Sequence, residues 1–426
     1  MVDKELLKQI LIENIELVKS IDYYKRNVTL EDNMPYVFVG LRRVGKSYLL
    51  YQRIHELIEE GKQWDSILLI NFEDERLLNF KVDDFNNLIE AHYQLYNKKP
   101  ILFLDEIQIV DGWEKFARRM VDSKYQLYIT GSNAKMLSKE IATTLGGRFL
   151  IHEVFPYNFD EFLKAKKITY NSTDIYSTEK KAIIINQFNE YLNYGGLPEI
   201  VNIKAKRNYL NNIFQKIYLG DIALRNDINN IYALKYIPSK IAETIRSSLS
   251  FTRLTNLIKS LEVKVGKATI IQYIEMLKDS FLLFTINNID SKFSEKIKNP
   301  KYYFYDTGLL NLFLINQTPA LLENLVAIYL IQNCENESIF FFNNNSYEID
   351  FYIPEKNIAI QVCYSLSSEE TKKRETKALI DFSKFKNCNK LFIITHDEEA
   401  EIVMEDKIIK VIPIWKILLN YSSLVQ

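Results

Sequence analysis

One stretch of the sequence decides the fold: Gly40-Leu41-Arg42-Arg43-Val44-Gly45-Lys46-Ser47. It follows a short apolar run, residues 36–39, and precedes a segment with helical periodicity, residues 48–60. A strand, a Gly-x-x-x-x-Gly-Lys-Ser loop and a helix in this order are the setting of a phosphate-binding loop. The pattern favours that loop over the alternative, a glycine turn with a solvated lysine.

The positions of the loop predict a nucleotide site with a metal ion. Backbone N–H groups of the loop and the first helical turn form a cradle for an anion, and Gly40 and Gly45 permit conformations that a Cβ would block. We expect Lys46 to reach the β- and γ-phosphates of ATP and the Ser47 hydroxyl to coordinate Mg²⁺. The predicted nucleotide contacts are Gly40, Leu41, Arg42, Arg43, Val44, Gly45, Lys46, Ser47 and Tyr48.

The composition excludes several other classes of protein. The chain has 426 residues, and its 54 Lys and Arg residues nearly balance 55 Asp and Glu residues, so no overall attraction to nucleic acid follows. The three cysteines form no C-x-x-C pair, and the four histidines show no metal-ligand spacing. With no signal-peptide pattern and no apolar run near the ~20 residues of a spanning helix, we expect a soluble, cytoplasmic protein without a membrane partner.

Apolar runs of strand length alternate with helical segments after the loop. The runs are residues 67–72, 101–104 and 126–129. Continuous apolar strands separated by helices imply a parallel sheet that is covered on both faces, with ligands at the carboxyl ends of its strands. The predicted fold class is α/β, with a P-loop NTPase parallel sheet as its core.

Two carboxylates stand at one of these strand ends. Asp105 and Glu106 follow four apolar residues and resemble a Walker B motif. We expect Asp105 to hold Mg²⁺ and Glu106 to polarise the attacking water. A strand that ends in Asp-Glu is common and is weak evidence by itself. Its position downstream of the phosphate-binding loop is what supports the assignment as a Walker B motif.

The ends of two strands carry small polar residues. Ser132 and Asn133 could hydrogen-bond the γ-phosphate or the water, and a turn with a helix cap is the alternative. Asn71 could pair with Glu106 and hold it inactive until a partner binds, or it could be a plain turn residue.

One arginine is a candidate for a role between subunits. Arg148 follows Gly146 and Gly147 and precedes a strand-like run, residues 149–151. An arginine on the rim of an ATPase core can stabilise charge on the γ-phosphate of a neighbouring subunit, and the alternative is a pair with a surface carboxylate. Arg148 acting in trans would make the protein a homo-oligomer.

The order of these motifs resembles the prokaryotic AAA+-superfamily ATPases that carry a C-terminal domain of unknown function with a nuclease-like fold. The similarity covers nearly the whole chain after about Asn33. It implies an ATPase core, a helical lid and a winged-helix region, and it leaves the cellular role open. Besides the loop, the motifs are Leu104-Asp105-Glu106-Ile107-Gln108, Thr130-Gly131-Ser132, Gly147-Arg148, Phe155-Pro156, Tyr194-Gly195-Gly196-Leu197-Pro198-Glu199, Tyr303-Phe304-Tyr305-Asp306-Thr307-Gly308-Leu309 and Leu322-Glu323-Asn324.

We predict four domains from this order. Residues 1–154 form the AAA+ P-loop ATPase core with an N-terminal helix, and residues 155–227 form a helical lid. Residues 228–299 form a winged helix-turn-helix. Residues 300–426 form a degenerate restriction-endonuclease-like α/β domain.

The predicted winged helix could contact DNA or a protein. Phosphate contact requires Lys or Arg, and the would-be recognition helix is not basic. Its candidate contact residues are Gln272, Tyr273, Glu275, Lys278 and Asp279. Three further lysines, Lys296, Lys298 and Lys301, form either a wing that meets phosphates or a solvated charge cluster.

The C-terminal strand pattern resembles the restriction-endonuclease-like fold, whose site needs a helix carboxylate, a strand Asp and then Glu-x-Lys. Glu323 and Asp350 fill the first two places, and the third reads Gln361-Val362-Cys363. Because Mg²⁺ prefers anionic oxygens and the lysine is absent, we expect no nuclease activity. Glu323 and Asp350 should then pair with nearby cations.

Together these features predict an AAA+-type protein that binds and hydrolyses ATP. Its C-terminal domains would couple the nucleotide state to a DNA or protein partner. One alternative is a nucleotide-gated binding or scaffold module with negligible turnover. Another is a DNA nuclease, which the altered third motif disfavours.

Overall fold

The structure is a computed structural model of the chain. It describes residues 2–133, 147–226, 228, 230–290, 299–315, 317–334, 339–344, 346–421 and 424. Gly146, Lys296 and Lys298 lie outside these residues. The chain divides into two units, residues 1–155 with 279–281 and residues 156–278 with 282–426. None of the helices in the described residues combines the length and the apolar character needed to span a membrane.

Parallel strands form the sheet of the first unit, in the order β2-β3-β4-β1-β5. They are β1 (Tyr36–Val39), β2 (Ile67–Asn71), β3 (Ile101–Asp105), β4 (Leu127–Gly131) and β5 (Leu150–Glu153). The first four strands are buried nearly throughout, as expected of apolar runs covered on both faces, while β5 at the edge is partly exposed. The predicted α/β class with a parallel sheet core is confirmed.

The helices in the described part of the first unit lie before β1 or between the strands. They are α1 (Lys4–Ser20), α2 (Lys46–Glu59), α3 (Asp84–Tyr96) and α4 (Trp113–Asp122). Asp3 caps the first helix, because its side chain accepts a hydrogen bond from the N–H of Glu5, and the helix buries one apolar stripe. Because β1 ends at Val39 and α2 begins at Lys46, the glycine-containing loop lies at the carboxyl end of a central strand.

The second unit contains a mixed sheet in the order β12-β13-β11-β10-β9-β8-β6-β7. Its strands are β6 (Leu283–Asn288), β7 (Lys301–Phe304), β8 (Phe340–Asn343), β9 (Glu348–Ile353), β10 (Ile358–Val362), β11 (Lys390–Thr395), β12 (Ala400–Met404) and β13 (Lys407–Pro413). The predicted boundary at residue 299 falls between β6 and β7, which pair antiparallel. The division into four domains stays a prediction.

Helices of the second unit precede this sheet and cover it. They are α5 (Phe159–Ala165), α6 (Thr178–Tyr194), α7 (Lys206–Gln215), α8 (Ile231–Ala242), α9 (Phe251–Lys259), α10 (Lys267–Asp279), α11 (Thr307–Asn311), α12 (Thr318–Asn333), α13 (Glu369–Lys386) and α14 (Ile414–Leu418). A π-helix, Lys216–Leu224, continues directly from α7. The helix α12 is buried on nearly all sides, and its buried residues include the polar Glu323 and Asn324.

Two of the motifs meet around the buried carboxylate of Asp306. This carboxylate accepts hydrogen bonds from the backbone N–H groups of Gly196 and Leu309, at 2.9 and 3.0 Å. Gly195 ends α6 with a φ of +78°, and a Cβ there would lie 2.1 Å from an Asp306 oxygen. Glycine is therefore required at this position, which ties the Tyr-Gly-Gly-Leu-Pro-Glu motif to the Asp306 turn.

Candidate nucleotide-binding site

The loop between β1 and α2 has the backbone of an anion-binding cradle. Gly40 has a φ of +153°, and a Cβ there would lie 2.3 Å from the carbonyl oxygen of Val154, so no larger residue fits. Gly45 has a φ of +96°. Arg43 has a φ of +59°, a left-handed conformation that is uncommon for a residue with a Cβ and recurs at functional loops.

The side chain of Lys46 turns back onto this loop. It is 4% exposed, and its Nζ donates hydrogen bonds to the carbonyl oxygens of Gly40, at 3.3 Å, and Leu41, at 3.2 Å. The same Nζ lies 3.5 Å from Oε1 of Glu106. An ammonium held mainly by neutral carbonyls, at the mouth of a backbone cradle, is suited to bind an anion.

Asp105 ends β3 and is buried in a network of hydroxyl groups. The hydroxyl of Thr130 donates a hydrogen bond to Oδ1 of Asp105 and accepts one from the N–H of Glu106 at 2.9 Å. Burial and the neighbouring Glu106 charge raise the pKa of Asp105 to about 6, against hydrogen bonds from Thr130 and Ser47. The Ser47 hydroxyl and the Asp105 carboxylate therefore lie together, as an oxygen donor pair for a magnesium ion requires.

Glu106 follows in a left-handed conformation, with a φ of 52°. Its Oε2 accepts a hydrogen bond from Nε2 of Gln108, which also lies 3.4 Å from Oγ of Ser132. Burial alone would raise the pKa of Glu106, but Lys46 and the hydrogen bonds from Gln108 and Ser132 bring it below its usual value. The carboxylate is therefore ionised at neutral pH and faces Lys46.

Of the two roles weighed for Asn71, the structure favours the plain turn residue. Its side-chain oxygen accepts a hydrogen bond from the N–H of Glu73 at 2.9 Å, a local turn of the kind that asparagine favours. Among the described residues, its side chain makes no hydrogen bond to Glu106. Gln108, which sequence reasoning did not single out, contacts that carboxylate instead.

The remaining predicted residues differ in their contacts and in their exposure. Arg42 forms an ion pair with Glu73, at 3.0 Å, and Tyr48 is about half exposed on the first turn of α2. Asn133 follows Ser132 directly beyond β4. Arg148 pairs with Asp122 at 2.9 Å, and both side chains are partly exposed. This surface pair is the alternative weighed for Arg148, and a role in trans stays a prediction.

Gln108 and Thr130 are the site residues that the sequence analysis missed. The left-handed Glu106 and the short 3₁₀ turn after it, Ile107–Ile109, fold the chain so that the side chain of Gln108 returns to Glu106. No sequence signal marks a glutamate that adopts this conformation. Both residues stand in quoted motifs, but the contact of Thr130 with Asp105 follows from the pairing of β3 with β4, which the sequence does not specify.

The residues present fit a nucleoside triphosphate with Mg²⁺. The left-handed backbone at Gly45 shapes the loop, Lys46 donates hydrogen bonds to two neutral carbonyls, and Ser47 and Asp105 supply hard oxygen ligands. The fold and the site together define a protein with the AAA-type P-loop ATPase fold.

Comparisons with known proteins agree with this class and specify the family. Residues 32–163 match a family model described as an AAA domain, and residues 185–320 match one described as a domain of unknown function, DUF8612. The sequence is 37% identical to the uncharacterized protein MJ1544 of Methanocaldococcus jannaschii, over 99% of this chain and 97% of that protein. It is 32% identical to an uncharacterized protein of Haemophilus influenzae, over 74% of this chain and 78% of that protein. The chain belongs to the family of MJ1544.

Among solved structures, the Walker-type ATPase PABY2304 of Pyrococcus abyssi is similar over 74% of this chain and 96% of that chain. The identity is 12% and the TM-score is 0.39. This similarity is too distant to support an argument about function.

Proposed function

We propose that the protein binds ATP with Mg²⁺ and hydrolyses it. The observation that carries the proposal is the position of Lys46 within 3.5 Å of Glu106, at the strand end that also presents Asp105 and Ser47. On binding, Lys46 would exchange the two loop carbonyls for phosphate oxygens. Mg²⁺ held by Ser47 and Asp105 would neutralise charge on the β- and γ-phosphates.

Glu106 is the group that would act on the attacking water. Once Lys46 has turned to the phosphates, the ionised carboxylate is free to orient a water and accept its proton. Gln108 and Ser132 would keep the carboxylate in place, because both donate hydrogen bonds to it. Asn133 and Ser132 would contact the γ-phosphate or the water.

The decisive experiment is ATP turnover by Glu106→Gln. We expect turnover to fall by about 100-fold or more while ATP binding is retained, because the amide cannot accept the proton. Glu75→Gln, an exposed carboxylate in the same unit, is the matched control and should leave turnover unchanged. Unchanged phosphate release by Glu106→Gln would refute the assigned chemistry. Binding without turnover by the natural protein, with and without partners, would favour a nucleotide-gated scaffold.

We also propose that the second unit, with a lid, a winged helix and a degenerate nuclease-like domain, couples the nucleotide state to a partner. A protein partner is favoured over DNA because the face of α10 has little free positive charge. Lys278 forms an ion pair with Glu275 at 3.0 Å, and Tyr273 is buried. Turnover measured with duplex and single-stranded DNA over a salt series tests this. A salt-sensitive stimulation would identify DNA as the partner.

A homo-oligomer in which Arg148 reaches the neighbouring site is part of the proposal. Its pair with Asp122 is exposed and therefore weak enough to exchange. Arg148→Ala should lower turnover more than ATP affinity, and turnover per chain should rise with protein concentration. A monomer with full turnover would exclude the role in trans. A cytoplasmic location stays a prediction.

A further inference from the structure

The second unit contains a fully buried lysine among carboxylates. Lys301 is the first residue of β7, and the structure corrects the expectation that it belongs to an exposed wing or a solvated cluster. Its Nζ lies 3.2 Å from Oε1 of Glu323, 3.2 Å from Oδ1 of Asp350 and 2.5 Å from Oε1 of Glu348. Three carboxylates from two different elements thus converge on one ammonium.

Each carboxylate is held by further contacts that fix its direction. Glu323, on α12, accepts a hydrogen bond from the Tyr303 hydroxyl at 2.9 Å, and its other oxygen lies 3.4 Å from Nε of Arg246. Glu348 and Asp350 are two residues apart on β9 and so share one face of the sheet. The second oxygen of Asp350 accepts a hydrogen bond from the N–H of Val362 at 2.9 Å.

Gln361 explains how the altered third motif fits this cluster. Its Oε1 accepts a hydrogen bond from the N–H of Asp350, and its Nε2 donates to the carbonyl of Glu348 and to Oε2 of Glu375, each at 2.9 Å. A carboxylate at this position could not donate these bonds and would repel Glu375. The neutral amide therefore leaves the cluster with Lys301 as its central positive charge.

A cavity of about 460 Å³ opens beside the cluster. Glu348, Asp350 and Gln361 line it, together with Arg246 and Arg374. Ions from solution can therefore reach Glu348 and Asp350, while Lys301 occupies the point on which these two carboxylates and the buried Glu323 converge.

We propose that Lys301 is the permanent cation of this cluster and stands where the three carboxylates would otherwise hold a divalent metal ion. An ammonium and a metal ion cannot share that point, because the metal would have to displace a buried charge that already has three partners. The second unit thus folds without a metal. This inference is independent of the proposed ATP hydrolysis.

Lys301→Met tests the inference, because it keeps most of the side-chain volume and removes the charge. Without nucleotide, we expect the natural protein to bind no Mn²⁺ at this cluster. The amount of bound Mn²⁺ should therefore be the same for the natural protein and for Asp350→Asn. Lys301→Met should bind one additional Mn²⁺ per chain by electron paramagnetic resonance. Its unfolding midpoint should rise by roughly 5 °C in millimolar MnCl₂, while that of the natural protein stays unchanged. Adding Asp350→Asn to Lys301→Met should abolish both effects.

Two results would overturn the proposal. One is Mn²⁺ binding by the natural protein that Asp350→Asn abolishes, since metal and lysine would then coexist. The other is a folded Lys301→Met protein that gains no Mn²⁺. If Lys301→Met does not fold, Lys301→Met with Glu323→Gln should fold, because one negative charge has been removed along with the positive one. Failure of that double variant as well would show that charge balance is not what Lys301 provides.

Discussion

Each unit contains a buried lysine, and the two lysines differ in what surrounds them. Lys46 donates to two backbone carbonyls and has one carboxylate, Glu106, at 3.5 Å. Lys301 has three carboxylates within 3.2 Å. Burial alone would lower the pKa of Lys301, but its carboxylates raise it well above the usual value.

This difference in partners determines which of the two lysines can bind a ligand. A carbonyl loses little when an ammonium leaves it, whereas a buried carboxylate left without its cation costs several kcal/mol. Lys46 can therefore transfer to a phosphate, and Lys301 is fixed. Burial and residue type are the same in both cases, so the charge of the partners decides the role.

The largest expected effect is on the stability of the second unit. Lys301→Met should lower its free energy of unfolding by about 3–5 kcal/mol without metal, because three carboxylates lose their buried partner. Urea unfolding followed by circular dichroism measures this. A loss below about 1 kcal/mol would contradict the assigned difference between the two lysines.

Lys46→Met should have the opposite profile, with a large effect on turnover and a small one on folding. We expect ATP turnover to fall by about 100-fold or more, since the ammonium would contact the phosphates in the transition state. The free energy of unfolding should fall by roughly 1–3 kcal/mol, less than for Lys301→Met, because two hydrogen bonds to neutral carbonyls are lost and one carboxylate, Glu106, loses its cation instead of three. Loss of stability as large as that of Lys301→Met would remove the distinction.

Asp306 is a buried carboxylate whose contacts described above are neutral N–H groups. It therefore tests, for a negative charge, whether the charge of the partners decides how a buried group affects stability. Burial raises the pKa of Asp306 to about 6, against hydrogen bonds from Gly196, Leu309 and Gly308. The folded protein thus binds a proton more tightly than the unfolded chain, so the free energy of unfolding falls as pH rises from about 4 to about 6 and is level above that range.

Asp306 can lower the free energy of unfolding over this pH range by at most roughly 3 kcal/mol, because its pKa in the folded protein lies about two units above that of an unfolded Asp. Asp306→Asn keeps the shape of the side chain and removes its titration, so the variant is the reference for the natural protein at each pH. Urea midpoints between pH 4.5 and pH 7.5 should show the natural protein losing stability relative to the variant. A difference that is constant across this range would disprove the raised pKa.

Much of the first unit could be predicted from the sequence, because its signals are local. The apolar runs predicted a parallel sheet, and the loop with Asp105 and Glu106 predicted residues that the structure does bring together. The second unit was harder. Lys301 stands 22 residues from Glu323 and 49 from Asp350, and one lysine in an otherwise aromatic strand gives no sign of its partners. Its burial follows from pairing across the sheet, which no local pattern encodes.

A smaller effect is expected at Gln108, which holds the carboxylate that Lys46 faces. Gln108→Ala should reduce the turnover number by about tenfold with little change in the Michaelis constant for ATP, since a loosened Glu106 affects the transition state more than binding. Gln63→Ala, on the surface of the same unit, is the matched control. An equal change in both kinetic constants would indicate a role in nucleotide binding instead.

The smallest effect is expected for an ion pair that is exposed to solvent and contacts no proposed ligand. Asp122→Asn breaks the pair with Arg148, whose side chain is 42% exposed, against 46% for Asp122. Because water and salt screen such a pair, the free energy of unfolding should change by less than about 1 kcal/mol, and turnover should stay constant or rise slightly as Arg148 is released. Turnover that falls as far as in Arg148→Ala would mean that the pair itself supports the site. Arg148 would then act within its own chain, and the case for an arginine supplied by a neighbouring subunit would be lost.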